Sequence, residues 1–397
     1  MTRAISRFWA ASSILLGCLA TLAPARAQIV PDNTLPVNSS VTPGCTICLI
    51  DGGTVRGTNL FHSFQSFSVP TGGLAFFNNA EQIQNILTRV TGNEVSNIDG
   101  LIRDNGTANL FLLNPNGISF GENATLNLGG SFVASTASSL VFADGTVFST
   151  KPDTSTPPLL TVSVPFGLQY GSHPGSIRVQ GTTLEVGVGQ TLALVGGDVQ
   201  LNGGGLYTPA DPPGGRVELG GLAGEGTVGL VANGPNLGLS FPVGVPRGDV
   251  SLSNGAIVYV VADDGGSIGI NAFNLTMTQE SGLLAGIAQD SGSVDAVAGN
   301  IEINATGAID LNESKISNNI LPGAQGQGGD VNITTSELRV LGGAQIGAGT
   351  FGQGNGGNLT VNAHQQVQVI GHSADGRASS GLFTQAKLGS SGNVGDL

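Results

Sequence analysis

A five-residue pattern returns eight times between Gly175 and Val361: Gly, any residue, an aliphatic, a small or polar residue, and a second aliphatic. The copies read GSIRV at Gly175, GDVQL at Gly197, GRVEL at Gly215 and GDVSL at Gly248. They continue as GSIGI at Gly266, GNIEI at Gly299, GDVNI at Gly329 and GNLTV at Gly357, and a ninth opens at Gly395. Alternation puts both aliphatics on one side of an extended strand. One coil of such strands cannot bury that side against itself. A stack of coils can, and each strand's backbone is then satisfied by the coils above and below. The pattern predicts an all-β chain folded as a right-handed parallel β-helix. Steps of 22, 18, 33, 18, 33, 30, 28 and 38 residues are too uneven for propeller blades and suit coils that carry loop insertions. The glycines are expected at corners with positive φ, and stacked Asn in side-chain ladders.

Composition agrees with many short strands divided by turns. Gly makes up 64 of 397 residues and charged residues only 10%, while 40% hydrophobic content argues against disorder. The first residues are excluded from the fold. Arg3 and Arg7 precede an apolar run from Phe8 to Ala20, and Ala25-Arg26-Ala27 before Gln28 is an A-x-A cleavage signal. Residues 1–27 thus read as a signal peptide cut between Ala27 and Gln28. A lipoprotein box at Cys18 fits less well, because the apolar run continues past it. No later stretch has the ~18 consecutive apolar residues of a membrane span. The mature chain has eleven Lys+Arg against 27 Asp+Glu, a balance of −16 that repels nucleic acid.

The first half carries ordered motifs of its own. They are GGTVRGTNLFHSFQSFSV (Gly52–Val69), FNNAEQIQNILTRVTG (Phe77–Gly92), SNIDGLI (Ser96–Ile102), ANLFLLNPNGISFGENATLNLGGSFVASTA (Ala108–Ala137) and PPLLTVSVPFGLQYG (Pro157–Gly171). Together they resemble the filamentous-haemagglutinin N-terminal, or two-partner-secretion, domain of TpsA-type exoproteins, in its cyanobacterial form. The resemblance implies a domain over residues 28–171 that forms an N-terminal β cap, followed by Gly/Asn-rich repeats over 172–397. It also implies Sec export, recognition by the POTRA domains of a TpsB-type outer-membrane barrel, and folding outside the cell as a secreted or cell-surface adhesin. Asn114-Pro115-Asn116-Gly117-Ile118 matches one family signature, and the other, Asn-Pro-Asn-Leu, is absent. Within ANLFLLNPNGISFG the four turn-formers suit a type I turn. They are expected to make a tight reversal between capping strands, or to be read by the transporter as extended backbone.

Residues with chemistry are few. Cys45-Thr46-Ile47-Cys48 lies in a strand-like context with no second CxxC, which leaves a local disulfide or two buried thiols, and an oxidising compartment favours the disulfide. His62, His173, His364 and His372 are scattered, with His62 between Phe61 and Phe64 read as packed. Asp263-Asp264 and Gly329-Asp330 lack the tandem calcium-roll pattern and read as solvated turns. Ile83, Ile86, Leu87 and Val90 have helical spacing, although the resemblance favours strand there. No catalytic residue, cofactor or metal is proposed. The expected function is a non-enzymatic exoprotein whose repeats act as adhesive or structural stalk, with carbohydrate or a cell surface as possible ligand. The alternatives are a β-helical polysaccharide-degrading enzyme and a purely structural matrix protein. The stop at Leu397 inside a repeat suggests a truncated passenger or an incomplete chain.

Overall fold

The computed structural model describes residues 29–153, 155, 159–233 and 236–397. The expected signal peptide, with Cys18, Ala27 and Gln28, lies outside them. All regular elements among the described residues are strands, and they wind into a right-handed parallel β-helix with three faces. At its start lie β1 (Val30–Pro31), β2 (Ser39–Ser40), β3 (Ile47–Gly52), β4 (Thr54–Arg56), β5 (Asn59–Ser66) and β6 (Leu74–Phe77). The next coils are β7 (Asn85–Val90), β8 (Ser96–Ile98) and β9 (Leu101–Arg103), then β10 (Asn109–Leu113), β11 (Ile118–Phe120) and β12 (Thr125–Asn127). β13 (Phe132–Ser135) opens a further coil. β5, β7, β10 and β13 stack in parallel as a first face; β8 and β11 begin the second; β3, β6, β9 and β12 form the third.

The repeat motif builds the interior. Val217, Ile268, Ile301, Val331 and Leu359 stand in register on successive coils of the first face, all fully buried. Each contributes roughly 1.5–3 kcal/mol by leaving water. The second face is seeded by the same motif, with Ile177, Val199 and Val250 in register. This explains the uneven spacing. A step of 18 residues passes from one face to the next, and a longer one completes a coil or spans an insertion.

Two details go beyond the expectation. Corner glycines such as Gly203, Gly255 and Gly342 take positive φ as expected, whereas the leading glycines Gly299, Gly329 and Gly357 do not. They are required by close approach of coils: a Cβ on Gly299 would lie 2.5 Å from the Gly266 carbonyl oxygen, and one on Gly329 would overlap the Gly299 carbonyl. Gly329→Ala is expected to cost about 2 kcal/mol through backbone displacement, read as a lower urea midpoint; an unchanged midpoint would refute the close-stacking account. Nor is the second motif position indifferent. Asn300 Oδ1 accepts the Asp330 amide at 2.9 Å, Asp330 Oδ1 the Asn358 amide at 2.8 Å, and Asn358 Oδ1 the Asp396 amide at 2.9 Å. These side chains bind each coil to the next. A second ladder joins Asn59, Asn85 and Asn109 through amide contacts of 3.0 and 3.2 Å.

The start of the helix is closed. β1 and β4 pair antiparallel with β5, and β2 pairs antiparallel with β3, so the first strands of two faces present no free edge. Outside the first face lies an antiparallel sheet of β14 (Ser139–Phe142), β15 (Val147–Ser149) and β16 (Pro165–Tyr170), continued by Gly226–Asn233 and Asn236–Ser240. It encloses a second core containing Phe61, Leu87, Phe111, Leu113, Phe142 and Phe148. That sheet is why Leu110–Leu113 is apolar without alternation: Leu110 and Leu112 face the helix interior, Phe111 and Leu113 the second core. The helical spacing around Ile86 has the same cause. Residues 85–90 are strand, with Ile86 and Val90 inside and Leu87 outside. The edge of Asn236–Ser240 is also satisfied: Leu237 N–H donates to Thr191 Oγ1 at 2.8 Å and Leu239 N–H to Glu218 Oε1 at 3.3 Å.

Candidate functional site

Asn114 to Gly117 form a corner between β10 and β11. The Gly117 amide donates to the Asn114 carbonyl at 3.1 Å, and Gly117 takes φ 125°, which favours glycine. The expected reversal between capping strands does not occur. β10 stacks on β7 and β13, and β11 on β8 and Ile177–Gln180, so neither pairs with the other and the chain turns from face to face. Asn114 is completely buried. Its Nδ2 donates to the Glu94 carbonyl and to Ser96 Oγ, both at 2.9 Å. Its Oδ1 accepts the Asn116 amide at 3.0 Å and Asn116 Nδ2 at 2.8 Å. Asn116 Nδ2 also reaches the Gly92 carbonyl at 2.9 Å, while the Pro115 carbonyl accepts the Gly175 amide at 2.8 Å from the following coil. Ile118 is buried in the interior. The corner clamps the preceding coil at residues 92–96, and that segment walls a cleft of about 670 Å³ beside Ile29–Pro31 at the capped end.

The other sequence candidates lie apart from it. Cys45 and Cys48 are joined by a disulfide at the entrance to β3. His62 sits inside the first coil, its ring 5.4 Å from Phe77 and 6.0 Å from Phe64, with Nδ1 2.9 Å from Ser39 Oγ. Burial pushes its pKa down to about 3. Asp264 Oδ1 accepts the Val297 amide at 2.8 Å and Asp330 serves its ladder, so both act in turns. The sequence reading missed a buried polar network that fastens the cap. Arg89 donates from Nε to Ser63 Oγ at 2.9 Å, from Nη2 to Thr34 Oγ1 at 2.8 Å and from Nη1 to the Ser149 carbonyl at 2.6 Å. Asp32 Oδ2 accepts the hydroxyls of Ser63 and Thr91 at 2.7 and 2.6 Å. Arg89 also lies over the Phe148 ring at 4.3 Å, and burial pushes its pKa down to about 10. The available signal was one Arg flanked by Thr88 and Val90 in a strand of a cation-poor chain.

A family model described as the TPS secretion domain matches residues 27–270. The chain belongs to that family. It is a two-partner-secretion exoprotein, of a kind secreted through the outer membrane with a TpsB transporter as partner. The match continues past Gly171, the last residue of the motifs first recognised. Among solved structures, the HMW1 secretion domain from Haemophilus influenzae is similar at 20% identity and TM-score 0.58, covering 92% of this chain and 84% of that one. A filamentous hemagglutinin secretion domain is similar at 16% identity and TM-score 0.50, covering 92% and 99%. At those identities the likeness concerns the β-helical fold alone. No curated protein sequence matches this TPS-domain chain.

Proposed function

We propose that residues 28–171 are the part read by the POTRA domains of the transporter and the cap of the folded product. Residues 172–397 then supply a non-enzymatic adhesive or structural stalk at the cell surface, after Sec export of the chain and cleavage between Ala27 and Gln28. The asymmetry of the solenoid supports this reading. Antiparallel strands close its first coil, and parallel coils follow that differ mainly in their insertions. A chain threaded in extended form can then fold coil by coil, each new coil burying its aliphatics on the last. The Asn114–Ile118 corner takes part as the clamp between early coils. Co-expression with a cognate barrel, with and without its POTRA domains, is expected to give folded protein in the medium only when POTRA is present. Equal export by both barrels would refute POTRA reading.

The Cys45–Cys48 disulfide is proposed to form in the periplasm, before passage. Its ring holds two intervening residues, too small to hinder threading. Protein from the medium should show no free Cys45 or Cys48 thiol in denaturant until reductant is added; free thiols without it would exclude the bridge.

A further inference from the structure

We propose that two copies of this chain associate through the third face of the solenoid, antiparallel, about a two-fold axis. The outward side chains of that face change character along it. On the first three coils they are apolar: Ile47 and Leu49 on β3, 72% and 45% exposed, Leu74 and Phe76 on β6, and Leu101 on β9. The next two strands, β12 and Thr183–Glu185, present Thr125, Asn127, Thr183 and Glu185, all exposed. The three strands after them are Gly205–Tyr207, Ile257–Tyr259 and Gly282–Ile287. These are apolar again, with Tyr207, Ile257, Tyr259 and Leu284 half-buried on the outside and the two tyrosine rings stacked at 5.4 Å. Single exposed aliphatics are ordinary, but apolar patches that run over several strands mark sites of association.

The order of three apolar strands, two polar and three apolar decides the occupant. It reads the same from either end. A two-fold axis parallel to the strands, set between β12 and Thr183–Glu185, therefore turns each apolar block onto the other. Parallel ladders fix the register on both sides of that axis, and Thr182 Oγ1, donating to the Ala124 carbonyl at 2.7 Å, aligns the two central strands. One outward row then sets Leu49 against Leu284 and Phe76 against Tyr259 of the second copy. The other sets Leu74 against Ile257, and the most exposed side chain, Ile47, against Gly282, which leaves it room. Charge agrees with this arrangement. Arg103 is exposed, lies 5.0 Å from the Phe76 ring and has no ion pair among the described residues, and neither has Glu185. Across the axis Arg103 comes over Tyr207 of the second copy, one strand from that copy's Glu185, and symmetry repeats the contact. Eight strands ~4.8 Å apart make a strip about 35 Å long, and at a width of roughly 15 Å the two copies bury on the order of 1,000 Å². That is the lower bound for a specific interface, so association is weak, with Kd on the order of 10 µM.

Self-association of this kind depends neither on the transporter nor on any ligand. Sedimentation equilibrium of the purified mature chain tests it, from tenfold below to tenfold above that Kd. A monomer–dimer equilibrium is expected. Arg103→Glu and Glu185→Arg should each weaken it tenfold or more, and the two together should recover most of the loss. Both side chains are exposed, so the urea midpoint should not move. Val164→Ser, in the segment leading into β16 where Val164 is 64% exposed, should leave the dimer intact. Chains carrying Leu74→Cys and Ile257→Cys, mixed under mild oxidation, should cross-link to each other and not to themselves. A chain that stays monomeric throughout the range overturns the proposal, as does a dimer indifferent to both charge reversals. Loss of the dimer in Val164→Ser would move the contact to the outer sheet and overturn it equally. Cross-links formed only within one cysteine variant would rule out the antiparallel axis.

Discussion

Replacing Asn114 by Ala is expected to lower stability by about 3–4 kcal/mol and to reduce secretion with it. The side chain is buried and makes four hydrogen bonds. Truncation leaves Ser96 Oγ without this partner in a buried position and the Glu94 carbonyl and Asn116 amide short of one in partly buried positions, and each buried orphan costs ~1–3 kcal/mol. Part of that returns as Ser96 and Asn116 relax, which sets the estimate below the sum. Asn116→Ala should cost about 1 kcal/mol, because Asn116 is only half-buried and its backbone amide keeps Asn114 Oδ1. Urea unfolding of protein refolded without the transporter separates the two roles of the corner. If Asn114→Ala were as stable as the parent yet poorly exported, the motif would act as a linear signal, and the clamp would have no part in it. If both quantities fall together, the motif acts through the fold that forms outside.

The corner's clamping role was only half legible in the sequence. Asn-Pro-Asn-Gly announces a turn by its own chemistry, but not the direction in which the chain leaves it. That direction depends on what the flanking strands stack against, and those partners are Asn85–Val90, Ser96–Ile98, Phe132–Ser135 and Ile177–Gln180, the last about sixty residues away. The repeat was more transparent, because Val331 and Ile333 carry their burial in a period of two. Its Asp/Asn at the second position was equally visible in GDVQL, GDVSL, GNIEI, GDVNI and GNLTV, and its meaning appears once coils are stacked. The second core stayed hidden for a different reason. A strand buried on both sides, such as Leu110–Leu113, reads from sequence alone as any apolar run. The cap network is least legible of all, since Asp32, Ser63, Arg89 and Ser149 meet only in the fold.

His62 should make the cap sensitive to acid. Its pKa is about 3 in the folded chain against 6.5 when exposed, because burial among Phe64 and Phe77 penalises the cation. Between these values the unfolded chain binds a proton that the folded one refuses. Stability from this group is therefore intact above pH 6.5 and lost as pH falls towards 3, by roughly 5 kcal/mol in full, at 1.36 kcal/mol per pKa unit. Asp104 works in the opposite sense. Burial pushes its carboxyl up to about 6, so its contribution is lost as pH rises from 3.8 to 6. The two slopes oppose each other over that interval, and a pH profile of the parent protein alone conceals both. Comparison with His62→Leu isolates the histidine, since Asp104 is common to the two chains. The variant should lose some stability at pH 7 with the Ser39 contact, yet gain on the parent by about 3 kcal/mol between pH 7 and pH 4. Urea midpoints at the two pH values provide the measurement. A difference between variant and parent that does not change with pH would mean that His62 accepts its proton in the folded state, and that the first coil opens to water around it.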